Sequence, residues 1–174
     1  VASRVVTRVG SLHCYDISKE MLKKAKSAVE ASLTVSQQEK PTKFVFLQEP
    51  AFPADLSNTF DFVYAFDVFP HVDLHTQWKY YKEFLRVLKP GAKAIIHSAN
   101  LEAPEGWQRF EQQDKYSVGG FYFMVPSMVL TLVAKAGLTV LKTSDQVKTE
   151  KGADRASNTY YNRDFMVLVQ KPLL

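Results

Sequence analysis

The chain has 174 residues, of which 46% are hydrophobic and 23% charged, as in an ordinary globular domain. No apolar run approaches the roughly 18 residues of a membrane-spanning helix, and the single cysteine, Cys14, cannot form an internal disulfide. The net charge of +4 lies partly on one predicted helix face, so it favours anionic partners only weakly. We therefore expect a single cytoplasmic domain over residues 1–174, without a metal and without a membrane or nucleic-acid partner. The oligomeric state stays open.

The first third of the chain predicts a strand, a helix and a second strand. Residues 11–16 form a short β-compatible run that ends at an acidic residue. Ser18 is a suitable N-cap for the following helix, whose apolar residues recur at three- and four-residue steps. After a polar loop, residues 44–47 form the second short apolar run. Residues 1–9 contain no initiator methionine and are typical of an element that is already under way.

The rest of the chain continues this alternation. In order, the predicted elements are a strand over 60–65, a helix ended by Lys89-Pro90-Gly91, a strand over 92–97, an aromatic-rich connection over 98–124, a helix ended by Gly137, and strands over 138–143 and 165–170. Alternating strands and helices predict a mostly parallel sheet with helices on both faces, because parallel neighbours need long connections. No helical pattern separates the last two strands, so we expect them to pair antiparallel at an edge.

Open α/β sheets bind ligands outside the carboxyl ends of their strands, so the residues that follow each strand are the candidates. Asp16 ends the first readable strand, where a carboxylate can accept hydrogen bonds from a ribose diol or can simply cap the next helix. Glu49 follows the next strand and can accept from an exocyclic amine or lie in solvent. Ile17 and Pro50 can enclose an adenine between apolar surfaces.

Five segments, taken in this order, resemble class I S-adenosylmethionine-dependent methyltransferases of the small-molecule type (type 11-like). They are residues 16–25, residues 60–64, His71, residues 84–91 and residues 94–97. The Asp-Ile-Ser start and the Leu-Lys-Pro-Gly turn are the most diagnostic parts. The resemblance implies a Rossmann-like α/β fold, S-adenosylmethionine as the cofactor and a small-molecule acceptor.

The same resemblance implies which residues bind the cofactor. Asp16 would bind the ribose hydroxyls and Ile17 would pack on the adenine, with Pro50 on the other side. Glu49 takes the place of the aspartate that the family usually has near the adenine amine. Phe66 completes this set of cofactor-binding candidates.

Two residues are candidates for the chemical step. Phe66 and Asp67 would line the path from the cofactor to the acceptor. His71 matches a position where the family often has histidine, although a histidine making one structural hydrogen bond explains it equally well. Asp67 and His71 are therefore the catalytic candidates, and no general base is assigned. Aromatic residues of the 98–124 connection would cover the acceptor.

The sequence departs from the family pattern at its beginning. The family's first strand and glycine-rich loop would precede Val1, and Gly10 stands alone. We therefore expect a methyltransferase-like domain that is N-terminally truncated relative to the family. Two functions stay open: methyl transfer to a small molecule, or a degenerate domain that serves as a non-catalytic binding or scaffold subunit. A nicotinamide-dependent enzyme is weaker, because no Gly-x-Gly-x-x-Gly motif is present.

Overall fold

The computed structural model describes residues 2–34, 40–117, 120–144 and 162–173, so Val1 lies outside the described residues. Its helices and strands alternate as an α/β protein requires, which confirms the predicted fold class. In chain order they are α1 (Ala2–Val5), β1 (Leu12–Asp16), α2 (Lys19–Glu30), β2 (Thr42–Phe46), β3 (Phe60–Ala65), α3 (Leu74–Val87), β4 (Leu88–Ala99), α4 (Pro104–Glu111), α5 (Pro126–Lys135), β5 (Thr139–Thr143) and β6 (Asp164–Gln170).

The backbone forms two compact units, Val1–Ala51 and Phe52–Leu174. We call them unit 1 and unit 2. Each contains its own hydrogen-bonded sheet, with β1 and β2 in unit 1 and the other four strands in unit 2. The assignment of residues 1–174 to a single domain stays a prediction.

Unit 1 consists of two parallel strands and the helix that connects them. Strands β1 and β2 pair in register, with Asp16 opposite Phe46. The hydroxyl of Ser18 accepts the backbone N–H of Met21 at 3.2 Å, which confirms the predicted N-cap of α2. The second strand spans Thr42–Phe46, two residues earlier at its start than the sequence predicts. The ε-ammonium of Lys40 donates to three carbonyls of the helical turn that precedes β1.

Unit 2 contains a four-stranded sheet in the order β3-β4-β6-β5. Strands β3 and β4 are parallel, whereas β6 is antiparallel to both β4 and β5. The last two strands therefore pair antiparallel with β5 at the edge, as predicted. Helices α3 and α5 contribute to one core with the sheet, which includes Phe69, Tyr81, Leu88, Ile96, Val133, Phe165 and Val169.

Two predictions about element bounds are wrong. Helix α3 ends at Val87 and β4 starts at once with Leu88, whereas the sequence predicts a strand that starts at residue 92. Residues 89–91 therefore form a bulge within β4, between the residue pairs Phe60–Leu88 and Phe62–Lys93, rather than a loop after the helix. Proline offers no N–H to a strand ladder, and Gly91 has a φ of +78°, which together explain the bulge. The 98–124 connection contains helix α4, which the sequence analysis does not predict. Gly137, with a φ of +89°, ends α5 as predicted.

Candidate functional site

Asp16 is oriented by the turn between β1 and α2. Its Oδ1 accepts the N–H of Ser18 at 2.8 Å, while Ser18 itself caps the helix. The N–H of Leu47 donates to the Asp16 carbonyl at 2.9 Å, so the ends of β1 and β2 lie side by side. Within the described residues the second carboxylate oxygen makes no hydrogen bond. Asp16 thus has a local structural contact and an oxygen that is available to a ligand.

The neighbours of Asp16 in unit 1 are accessible. The side chain of Ile17 is 69% exposed, which is unusual for a large aliphatic residue and leaves an apolar surface beside the carboxylate. Glu49 is exposed and Pro50 is half-buried in the segment after β2. The carbonyl of Glu49 accepts the N–H of Ala51, so a tight turn sets the backbone there. An acid, an apolar side chain and a second acid therefore occupy the carboxyl ends of β1 and β2.

In unit 2, the residues after β3 are held by a buried histidine. Asp67 has a φ of +60°, a left-handed conformation that is uncommon for residues other than glycine. Its N–H donates to Nδ1 of His97 at 2.9 Å. The ring of Phe66 stacks on His97 with centroids 4.6 Å apart. The Asp67 side chain is 52% exposed, and its Oδ1 lies 3.9 Å from the same Nδ1, so the carboxylate stays near the imidazole while remaining accessible to a ligand.

His71 contacts the aromatic connection. Its Nδ1 lies 3.0 Å from the carbonyl oxygen of Gly120, and its ring meets Phe121 edge-on at 5.4 Å. Because a carbonyl only accepts, Nδ1 carries a proton, and in the neutral form of the ring Nε2 has a lone pair. Nε2 makes no hydrogen bond within the part of the chain that the structure describes. His71 therefore has the structural hydrogen bond that the sequence analysis considered, together with a nitrogen that can accept a proton.

The sequence analysis missed a buried polar cluster at the ends of β4 and β6. The side chains of His97 and Asp164 are both 0% exposed, and His97 Nε2 lies 3.0 Å from Asp164 Oδ2, although the angle departs from strict hydrogen-bond geometry. Arg163 donates to both oxygens of Asp164, at 2.9 Å and 2.7 Å. Burial raises the pKa of Asp164, but the contacts with His97 and Arg163 hold the pKa below its ordinary value. The sequence feature that could have indicated this cluster is His97 itself, a histidine at the end of an otherwise apolar predicted strand.

Aromatic residues of the connection are divided between core and surface. Phe121 is buried between two guanidinium groups, since the Cζ atoms of Arg109 and Arg163 each lie 4.9 Å from its ring centroid. The Gln113 amide exchanges two hydrogen bonds with the Phe121 backbone. The exposed members are Trp107 (49%), Phe110 (43%) and Tyr116 (53%). Phe121 is thus the buried member of the expected aromatic cover, while Tyr122 and Phe123 are half-buried.

Helix α4 approaches the strand ends closely because of one glycine. A Cβ on Gly106 would overlap the carbonyl oxygen of Asn100 and would lie 3.0 Å from the carbonyl oxygen of Arg163. Only glycine allows this approach, which carries Trp107 and Phe110 to the same end of the sheet as His97.

The described residues contain no group of three or more histidine, cysteine, aspartate or glutamate side chains that could hold a metal ion. No helix in the described part of the chain has both the length and the apolar character that crossing a membrane requires.

Comparison with known proteins identifies the family. The family model described as a methyltransferase domain matches residues 1–96, more than half of the chain. This chain belongs to the methyltransferase domain family. The match includes all of unit 1 and extends into β4, so it covers both Asp16 and Asp67. Sequence comparison with curated proteins gives no match.

Solved methyltransferase structures share the fold. A SAM-dependent methyltransferase from Methanosarcina mazei is 17% identical, with a TM-score of 0.66, covering 99% of this chain and 85% of that chain. One from Clostridium acetobutylicum is 14% identical, with a TM-score of 0.67 and coverages of 97% and 78%. Magnesium protoporphyrin IX methyltransferase from Synechocystis, solved with bound SAH, is 12% identical, with a TM-score of 0.68 and coverages of 98% and 68%.

These findings confirm the predicted family, the Rossmann-like fold and the enzyme class. The chain is a methyltransferase, and S-adenosylmethionine is the cofactor that its family implies. The donor set at β1 fits the nucleoside end of that cofactor, since a carboxylate oxygen that has no hydrogen bond from the described part of the chain lies next to the 69% exposed Ile17. The individual roles of Asp16, Ile17, Glu49, Pro50, Phe66, Asp67 and His71 stay predictions.

Proposed function

We propose that this methyltransferase transfers a methyl group to a small-molecule acceptor. The observation that carries the proposal is the pairing, at the end of β1, of a pre-oriented carboxylate in Asp16 with the exposed side chain of Ile17. A hydrogen-bonding acid beside an apolar surface is what a nucleoside requires, because the ribose offers hydroxyls and the adenine offers a flat apolar face.

The cofactor-binding roles follow from this chemistry. Asp16 accepts from the ribose hydroxyls through its second oxygen, while its first oxygen keeps the bond to Ser18. Ile17 and Pro50 pack on the adenine, and Glu49 accepts from the exocyclic amine. Phe66, which follows β3, is the remaining cofactor-binding candidate, and its ring stacks on His97. The exposure of Ile17 and Glu49 supports these assignments.

When bound, S-adenosylmethionine supplies a methyl group on a positively charged sulfur, and the carbon–sulfur bond breaks as an acceptor lone pair forms the new bond. The chain has two groups that can orient the acceptor or take its proton. Asp67 presents a carboxylate that is 52% exposed. His71 presents Nε2, since its Nδ1 proton is engaged by the Gly120 carbonyl. Positioning by such groups alone can lower the barrier substantially.

The accessible aromatic surface on α4 supports a small apolar or aromatic acceptor. The rings of Trp107 and Phe110 meet at a tilt of 36° with centroids 5.4 Å apart, and both side chains are nearly half exposed. Arg109 lies on the same helix and forms no ion pair within the described residues.

We place the reaction in the cytoplasm, in keeping with a single unpaired cysteine.

The test is titration with S-adenosylhomocysteine by calorimetry, using wild type, Asp16→Ala and Asp16→Asn. Asp16→Ala removes charge-assisted hydrogen bonds of about 1 to 3 kcal/mol, so we expect roughly 5- to 150-fold weaker binding. Asp16→Asn retains an oxygen for the Ser18 N–H and thus keeps the turn intact. We expect it to lose affinity as well, while its melting temperature equals that of wild type. Equal affinity in all three proteins would leave Asp16 with a structural role only.

A non-catalytic binding or scaffold subunit is the second candidate. If wild type binds S-adenosylhomocysteine, this candidate loses its support. If wild type shows no heat of binding and no thermal stabilisation at millimolar S-adenosylhomocysteine, the scaffold function is favoured.

A further inference from the structure

His97 and Asp164 form a buried polar pair whose cost is not explained by packing. Both side chains are 0% exposed in the midst of an apolar sheet. Their strands pair antiparallel, with Ala99 opposite Asp164 and His97 opposite Met166. Buried charge carries a desolvation penalty, and well-packed apolar residues are often as stable or more stable in its place. The pair therefore requires a reason other than stability.

The chain of contacts leads from this pair to the loop after β3. Arg163 holds both oxygens of Asp164, and the carboxylate faces Nε2 of His97 at 3.0 Å. A carboxylate in this position favours a proton on Nε2. Nδ1 is then a pure acceptor, and it receives the N–H of Asp67 at 2.9 Å. The acid thereby sets the tautomer on which the Asp67 contact depends.

The backbone that receives this support is a strained one. Asp67 has a φ of +60°, and a left-handed residue other than glycine costs about 1 to 2 kcal/mol. Such conformations persist where the surrounding structure enforces them, and they concentrate at functional sites. Phe66 stacks on the same imidazole, so His97 contacts both residues of the loop. The loop follows the carboxyl end of β3, where ligands bind in open α/β sheets.

We propose that His97 and Asp164 are positioning residues of the methyl-transfer site, which hold the backbone at Asp67 and so present its carboxylate to the acceptor. The inference rests on the proposed function, in which Asp67 faces the acceptor. Neither His97 nor Asp164 touches substrate in this scheme, because both are fully buried. Their effect passes through the Asp67 N–H.

Two substitutions at position 97 separate the two contacts of the imidazole. In His97→Asn, the amide oxygen takes the place of Nδ1 and can accept the Asp67 N–H. In His97→Gln, the amide nitrogen takes the place of Nε2 towards Asp164, and no acceptor remains for Asp67. Ser98→Ala is the matched control, since Ser98 is equally buried but its side chain points to the opposite face of β4.

The first readout is NMR of the full chain labelled with nitrogen-15. We expect the wild-type His97 ring to carry its proton on Nε2, and Asp164→Asn to shift the ring towards the other tautomer. Amide exchange at Asp67 should be at least about tenfold faster in His97→Gln, as a lost buried hydrogen bond implies, and close to wild type in His97→Asn and Ser98→Ala. A wild-type proton on Nδ1, or equal Asp67 exchange in the two position-97 variants, would overturn the proposal. The tautomer measurement on wild type decides the question even if a variant does not fold.

The second readout is transfer of tritiated methyl from S-adenosylmethionine to a panel of small hydroxyl- and amine-bearing acceptors. For an acceptor that wild type methylates, we expect kcat to fall at least about tenfold in His97→Gln with KM nearly unchanged, and to recover in His97→Asn. Equal kcat in wild type and His97→Gln would overturn the positioning role. If wild type methylates nothing and binds no S-adenosylhomocysteine, the proposed function fails, while the tautomer and exchange data still decide whether His97 and Asp164 hold Asp67.

Discussion

Unit 1 and unit 2 are built with very different amounts of buried structure. The core of unit 1 has three buried residues, Val6, Leu12 and Val29, under a two-stranded parallel sheet. The core of unit 2 has fifteen buried residues around a four-stranded sheet. Parallel strands normally occur inside larger sheets that are covered on both faces. Unit 1 therefore contains the nucleoside-binding candidates on a sheet that is too small to be stable by itself.

The catalytic candidates have the opposite setting. The Asp67 backbone is anchored to His97 and the His71 ring to the Gly120 carbonyl, and all four residues belong to unit 2. A rigid support is what a site needs when chemistry depends on orientation. In the proposed function, the catalytic candidates therefore lie in unit 2 and the nucleoside-binding candidates in unit 1.

The largest expected effect concerns the two units in isolation. Residues 1–51 expressed alone should be unfolded, because the five apolar side chains that are buried among its described residues, the three of the core with Leu22 and Leu47, contribute only about 1.5 to 3 kcal/mol each. This does not offset backbone ordering of about 1 to 2 kcal/mol per residue. Residues 52–174 should fold and unfold cooperatively. Circular dichroism with urea titration measures both. A cooperative transition for residues 1–51 would remove the contrast between the units.

The next effect compares two glycines, one in each unit. Gly106→Ala should destabilise the protein by about 3 kcal/mol, since the new methyl group meets backbone rather than a movable side chain. Gly10→Ala is the matched control and should change the unfolding free energy by less than about 0.5 kcal/mol, because nothing lies within 4 Å of its Cβ position. Urea unfolding of both variants gives the comparison. Equal stabilities would mean that α4 does not approach Asn100 as described.

The smallest effect compares an ion pair from each unit. Arg86 donates two hydrogen bonds to Glu83, and the N–H of Phe52 donates a third at 2.8 Å. Despite partial burial, the Arg86 contact holds the pKa of Glu83 below its usual 4.5. The pair in unit 1, Lys23 with Glu20, is 75% and 73% exposed. Glu83→Gln should lower the free energy of unfolding by about 1.5 to 3 kcal/mol near neutral pH, and Glu20→Gln should lower it by less than about 0.5 kcal/mol.

The pH dependence sharpens this last comparison. A group whose pKa is depressed in the folded state contributes stability above its unfolded pKa and loses it as the pH falls through the folded pKa. The difference in the free energy of unfolding between wild type and Glu83→Gln should therefore be constant above pH 4.5 and shrink below it. Asp164 titrates equally in both proteins, so its contribution cancels. A difference that is independent of pH would show that Glu83 acts through packing rather than charge.

Local patterns determined much of the architecture. The third strand lies at residues 60–65 as predicted, Ser18 caps α2, and Gly137 ends α5. These features depend on periodicity, on a hydroxyl at a helix start and on a residue that tolerates positive φ, all of which are properties of a few neighbouring residues. The family and its cofactor were also readable, because the Asp-Ile-Ser start and the Leu-Lys-Pro-Gly turn resemble the family's pattern.

Only the tertiary structure decided how distant residues meet. Helix α4 was missed because its position depends on Gly106 packing against Asn100 and Arg163, which no local pattern reveals. The division of the strands between two sheets depends on which edges pair, and hydropathy is the same for a paired and an unpaired edge. The contact of His97 with Asp164 requires β4 and β6 to be antiparallel neighbours in one register. Sequence determined which side chains stand at the strand ends, whereas strand pairing determined which of them support one another.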